Sequence, residues 1–207
     1  MTDMKAEGRS LVLASGNPGK LRELSAMLEP LGWEVRPQSE WNLEEAVEDG
    51  LSFVENALIK ARHASRFTGL PALADDSGLV VDALDGAPGI YSARFAGADA
   101  SDQDNNRKLL DSLEGVPDAE RTAHFYCAMA LVRNADDPAP LISVGKWDGI
   151  IMAAPAGQGG FGYDPLFHVP AEGCSSAQLA PEIKNRLSHR GQALRAMVEQ
   201  IESFFGG

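Results

Sequence analysis

The chain has 207 residues, 44% apolar and 23% charged, enough for one domain with a substantial core. Thirty Asp and Glu against 18 Lys and Arg give a formal charge of −12, which argues against a nucleic acid polymer as partner but allows a small anion where cations gather. No apolar run approaches a membrane span, and residues 1–10 carry no hydrophobic signal core, so the expectation is a cytoplasmic protein with no membrane partner.

In chain order, Ser10 to Ala14 reads as a first strand, and Leu21, Leu24, Leu28 and Leu31 follow at helical spacing until Gly32. WEVRP, Trp33 to Pro37, reads as a second strand. Leu51, Val54, Ala57, Leu58 and Ala61 mark one face of a second helix, ended by Gly69. PALADDSGLVVDAL predicts two strands parted by an acidic turn at Asp75 to Gly78. NRKLLDSLEG predicts a short helix, stopped by Gly115 and Pro117. AHFYCAMALVR and PLISVGKWDGIIM are the longest strand-like runs, and Gly157 to Gly162 is a glycine-rich loop. From Arg190, the residues Leu194, Met197, Val198, Ile201 and Phe205 mark a closing amphipathic helix. Alternation of strand and helix early, with strands clustered later, predicts an α/β fold with a mixed sheet. Two cysteines make neither a disulfide framework nor a zinc cluster, and Cys127, within HFYCAMALV, reads as a buried thiol.

Ser15-Gly16-Asn17-Pro18-Gly19-Lys20 joins the first strand to the first helix. It is not a Walker A loop: the glycine before Gly19 is three positions back, and Leu21 stands where a metal-binding hydroxyl belongs. Nor does it carry the first glycine of a Rossmann fingerprint. A helix N-terminus still attracts anions through its N–H groups; Ser15 and Asn17 could add donors and Lys20 a full charge. A plain turn with a solvated lysine explains the stretch equally well.

Two acidic clusters follow: Glu44, Glu45, Glu48 and Asp49 before the second helix, and Asp75 and Asp76 at a strand end. Carboxylates near a phosphate loop suit a hard cation such as Mg²⁺, which takes one or two of them and completes its shell with water and phosphate. Neighbouring strand residues face opposite ways, so one of Asp75 and Asp76 enters a given site. GQGGFGYDP offers glycines for close approach, the rings of Phe161 and Tyr163 as flat faces for a base, and Asp164 as an acceptor. KNRLSHRG gathers Lys184, Arg186, His189 and Arg190, a concentration of cations that a helix C-terminus would also favour.

SGNPGK, FVENALIKARHA, ADDSGLVVDALDGAPGIYSARFAG, GQGGFGYDPLF and LSHRGQAL, in that order, resemble the inosine/xanthosine triphosphate pyrophosphatase family from about Leu11 to Arg195. The resemblance implies that Ser15, Gly16, Asn17, Pro18, Gly19 and Lys20 hold the triphosphate. It makes Glu48 and Asp76 the Mg²⁺ site, with Asp76 also the general base and Lys20 a catalytic cation. Ser77 would lie against the substrate, Phe161, Gly162, Tyr163 and Asp164 would hold the base, and Lys184, His189 and Arg190 would complete the pocket. Ser15 stands where many relatives have threonine, which keeps the hydroxyl. Implied too are an elongated mixed sheet with flanking helices in two lobes around a central cleft, and a homodimer. Residues 1–9 become an N-terminal extension, and 10–207 a single two-lobed domain. The activity implied is hydrolysis of non-standard purine nucleoside triphosphates (ITP, dITP, XTP) to monophosphate and pyrophosphate. Two other readings use the same loops: a broader pyrophosphatase for modified or pyrimidine triphosphates, and a nucleotide-binding regulator without chemistry. FGYD and SHR favour purines over the first, and the acids disfavour the second.

Overall fold

The computed structural model describes residues 9–206. Of the expected N-terminal extension, residues 1–8 lie outside the described residues, while Arg9 opens the first strand opposite Trp33.

The strands are β1 (Arg9–Leu13), β2 (Trp33–Pro37), β3 (Ala72–Val81), β4 (Thr122–Val132), β5 (Leu141–Ile151), β6 (Phe167–Val169) and β7 (Cys174–Ser175). The helices are α1 (Pro18–Leu28), α2 (Phe53–Thr68), α3 (Asp102–Ser112), α4 (Pro181–Leu187) and α5 (His189–Phe204). All seven strands join one sheet in the order β2-β1-β3-β4-β5-β6-β7. β1 runs parallel to β2 and β3, whereas β6 runs antiparallel to β5 and β7, so the sheet is mixed, as expected. The chain divides into two compact units. The first runs through Asp76 and adds Ala128–Ser143 and the chain from Leu194; the second comprises Ser77–Cys127 and Val144–Ala193. The division falls inside β3, β4 and β5.

In the first unit, Leu24 and Leu28 are the buried residues of α1, and a short 3₁₀ turn carries the chain to Gly32, whose positive φ ends it. Met197 and Ile201 of α5 are buried, and the Trp33 and Phe205 rings meet at 4.5 Å. α2 buries Phe53, Asn56, Ala57, Ala61, Ala64 and Ser65. Leu51, expected on that face, lies before the helix and is exposed: Ser52 caps α2, and Glu55 Oε2 accepts the Leu51 N–H. The second unit has its own core, in which Leu79, Phe125, Trp147, Tyr163 and Phe167 are members.

β3 corrects the expected acidic turn. Asp75 to Gly78 stay in one ten-residue strand. An Asp-rich turn forms when its side chains bond their own backbone; here Asp75 and Asp76 find lysine and amide partners elsewhere, and the backbone remains extended. The cationic stretch at 184–190 also differs from a single helix end. α4 stops at Leu187 and Ser188 is extended, so His189 and Arg190 open α5.

Candidate active site

In the first unit, β1 delivers the chain to α1 through Ser15 to Lys20. Pro18 takes the first helical position, where a missing N–H costs nothing, and Asn17 is the cap. Asn17 Oδ1 accepts the N–H groups of Gly19 (2.8 Å) and Lys20 (3.3 Å), and Ser15 Oγ accepts the Asn17 N–H (3.2 Å). The helix N-terminus is therefore already satisfied by its own cap, which corrects the picture of bare N–H groups awaiting an anion. What the loop can extend toward a ligand is the hydroxyl of Ser15, the NH₂ end of Asn17 and the Lys20 ammonium.

Lys20 Nζ lies 2.7 and 2.8 Å from the two oxygens of Asp75, a carboxylate only 6% exposed. Asp76 makes a separate set of contacts. Its Oδ1 is 3.2 Å from Lys60 Nζ, its Oδ2 accepts from Asn56 Nδ2 at 3.2 Å, and the same Lys60 ammonium reaches Glu48 Oε2 at 3.1 Å. The two aspartates thus divide the work: Asp75 partners Lys20, while Asp76 and Glu48 converge on one cation. Burial draws the Lys60 ammonium toward neutrality, but the Asp76 and Glu48 carboxylates outweigh it and hold its pKa above the ordinary value. Ser15, Gly16, Lys20, Glu48, Lys60 and Asp75 share the wall of a cavity of about 180 Å³.

Lys60 and Asn56 were absent from the sequence-derived site. They lie four apart in FVENALIKARHA, hence on one helix face, and that spacing was the available signal. Asn56 is 1% exposed and also accepts the Gly50 N–H at 2.9 Å, which ties the segment bearing Glu48 to Asp76. A Cβ on Gly50 would lie 2.7 Å from Asn56 Oδ1, so glycine is needed there.

The pair Glu48 and Asp76 also fits a divalent metal. Two carboxylates directed at one positive charge are the donor chemistry of Mg²⁺, which draws its remaining ligands from phosphate and water. Among the described residues no group of three His, Cys, Asp or Glu is placed to hold an ion, so the protein offers this open pair and no closed cage.

In the second unit, Phe161 is 61% exposed, with Lys184 Nζ 5.1 Å and Arg190 Cζ 5.8 Å from its ring centroid. The flat face expected of Tyr163 is not presented. The ring is buried in the core and its hydroxyl donates to the Ser92 carbonyl at 2.8 Å, because a large ring beside Leu166 and Phe167 gains more from burial than from solvent. Asp164, 3% exposed, accepts from the Phe161 N–H at 2.8 Å, from Ser176 Oγ at 2.8 Å and from Lys184 Nζ. Its role is to organise the loop. The glycines likewise approach protein: a Cβ on Gly160 would fall 2.1 Å from Asp164 Oδ2, and one on Gly159 2.7 Å from the Ala177 carbonyl. His189 stacks on Phe125, ring centroids 4.9 Å apart and planes 14° from parallel, a partner with no signal in the sequence. Arg190 Nη2 is 3.4 Å from Ser77 Oγ. Cys127 is buried, as expected, and no described helix is long and apolar enough to cross a membrane.

The fold is α/β, and a carboxylate pair sharing one cation beside a lysine loop at the end of a parallel strand is a set of groups with the chemistry to meet a metal-bound polyphosphate. Residues 11–200 match the model of the Ham1 family, and the chain belongs to that family. It is 56% identical over 194 residues to a dITP/XTP pyrophosphatase of Vibrio cholerae, covering 94% of this chain and 97% of that one. It is 53% identical over 195 residues to a dITP/XTP pyrophosphatase of Escherichia coli O157:H7, covering 94% and 99%. Among solved structures, a HAM1 protein from Coxiella burnetii superposes with a TM-score of 0.91 at 48% identity, covering 94% of this chain and 98% of that one.

Proposed function

We propose that the chain hydrolyses non-standard purine nucleoside triphosphates, dITP, ITP and XTP, to the monophosphate and pyrophosphate. The observation that carries this reading is the convergence of Glu48 and Asp76 on a single cation beside the Lys20 loop. Family membership and the dITP/XTP pyrophosphatases at 53–56% identity support it.

Cleavage between the α and β phosphates adds water to phosphorus and expels pyrophosphate, a reaction governed by position and charge neutralisation. Mg²⁺, held by Glu48 and Asp76, would supply neutralisation of phosphate charge. Asp76 orients the attacking water and takes its proton. Lys20, released from Asp75, steadies the charge that develops on pyrophosphate, and Lys60, released from Glu48 and Asp76, turns to a phosphate oxygen. Ser15 and Asn17 donate to the same phosphates. No side chain acts as nucleophile.

The base is read by the second set. Adenine presents an amino donor at position 6 and an N1 acceptor; hypoxanthine presents an acceptor and a donor at those atoms. The N–H groups of Phe161, Gly162 and Asp164 are already bonded within the protein, so donation to O6 is left to the Tyr163 N–H and to the side chains of His189 and Arg190. Phe161 stacks on the ring, Lys184 supports it, and Ser77 contacts the sugar side. Sites built to donate to a substrate atom reject analogues that cannot accept by ~10⁴. The proposed partner is a second copy of the chain and the proposed compartment is the cytoplasm; the charge of −12 argues against a nucleic acid polymer.

Incubation with Mg²⁺ and a panel of triphosphates, with pyrophosphate and orthophosphate measured separately, tests the whole reading. The expected result is pyrophosphate from dITP, ITP and XTP, with kcat/KM well above that for ATP and GTP. Equal turnover of ATP would refute the base assignment, and orthophosphate as product would refute α–β cleavage.

A further inference from the structure

Phe161 combines two properties that seldom occur together. The residue is 61% exposed, yet the backbone on both sides is pinned. The Phe161 N–H donates to Asp164 Oδ2 at 2.8 Å, and the next peptide N–H, of Gly162, donates to Asp102 Oδ2 at 2.7 Å. Asn106 Nδ2 donates to the Gly162 carbonyl at 2.8 Å. Asp102 and Asn106 are four apart on α3, so they present one face to the loop. They reach it from 60 and 56 residues away in sequence.

Neither bond is needed to build α3. Its N-terminus is closed by a complete capping box, Ser101 with Asp104. Holding an exposed apolar ring in one place costs conformational entropy and gains no burial. A ring fixed in advance is worth that cost when a ligand stacks on it, because the ordering no longer has to occur on binding.

We infer that Asp102 and Asn106 are positioning residues that set the Phe161 ring for the purine base by holding the N–H and the carbonyl of Gly162, the peptide groups on either side of that residue. The inference rests on the proposed function and deepens it: base affinity is governed in part from α3, by side chains that do not touch substrate.

The test is steady-state hydrolysis of dITP with Mg²⁺ by the full chain and five variants: Asp102→Ala, Asp102→Asn, Asn106→Ala, Phe161→Ala and the double variant Phe161→Ala with Asp102→Ala. Inorganic tripolyphosphate serves as an inhibitor that has phosphates but no base. Asp102→Ala is expected to raise KM about fivefold, the loss of one hydrogen bond to a charged acceptor, with kcat within about twofold, the pattern of lost uniform binding. Asp102→Asn keeps an acceptor oxygen and restores KM. Asn106→Ala raises KM about two- to threefold and carries the same test should Asp102→Ala fold poorly. The tripolyphosphate inhibition constant stays unchanged, and in a Phe161→Ala background Asp102→Ala adds nothing. Unchanged KM in the folded alanine variants, weaker tripolyphosphate binding in parallel, or an equal KM rise without Phe161 would each overturn the inference. Failure of the unaltered protein to hydrolyse any purine triphosphate overturns the functional reading and the inference with it. Active unaltered protein with indifferent variants overturns the inference alone.

Discussion

The Asp76 carboxyl lies above the ordinary carboxylate range because burial disfavours its charge more than Lys60 and Asn56 favour it. A raised pKa means that the folded state holds the proton more tightly than the unfolded chain. Ionised Asp76 therefore costs stability at every pH above its folded pKa, and the cost fades as pH falls toward the unfolded value. Asp76→Asn should lower turnover by ~10²–10⁴-fold, the range of general-base loss, while thermal melting at pH 7 shows no loss of stability. A variant that melts early, or one that keeps its activity, contradicts the assignment. Lys60 has the opposite sign of effect. Its folded pKa is raised, so it stabilises the fold fully below its ordinary pKa and loses that effect only as pH rises through the folded value. Lys60→Ala leaves Glu48 and Asp76 facing each other with no cation between them. Its Tm at pH 7 should fall by about 5 °C, equivalent to roughly 2 kcal/mol in a chain of this size. Millimolar Mg²⁺ without nucleotide should recover more of that loss than it adds to the unaltered protein, as scanning calorimetry would read directly.

β5 passes against the backbone at the start of α5. A Cβ on Gly145 would lie 1.9 Å from the His189 carbonyl oxygen and 2.8 Å from the Ala193 nitrogen, both backbone atoms that can yield only by moving the helix. Gly145→Ala should cost about 1–3 kcal/mol, the usual range for overpacking, seen as a lower urea midpoint. Because His189 and Arg190 open α5, kcat/KM for dITP should fall as well, while tripolyphosphate inhibition holds. β3 is only partly legible in the sequence. Its run ADDSG has the composition of a turn, and only Lys20, Asn56, Lys60 and Arg190, brought from other parts of the chain, make an extended course better for those side chains. β6, β7 and α4, of three, two and seven residues, are too short for hydrophobic periodicity to reveal.

At the scale of the whole molecule, the two compact units share β3, β4 and β5, each strand having residues in both. Neither unit is a continuous stretch of chain, the first being assembled from three segments and the second from two, so unfolding either one lengthens the loops that the other must close. Urea unfolding followed by far-UV and near-UV circular dichroism should give coincident single transitions, and two resolved steps would contradict that coupling. The sequence by itself determined the α/β class, the limits of β2 and the glycine end of α2, because those follow from local periodicity and backbone freedom, whereas Gly32 closes the 3₁₀ turn after α1 and not α1 itself. Its five ordered motifs also determined the family, since joint spacing is far more specific than any one loop. Tertiary structure decided what each polar group touches: Asp75 on Lys20, Asp76 with Glu48 on Lys60, Asp164 turned inward to brace its loop, and Tyr163 buried. Ion pairs and hydrogen bonds between residues tens of positions apart leave no periodic trace, and burial of a ring depends on the neighbours that the fold supplies.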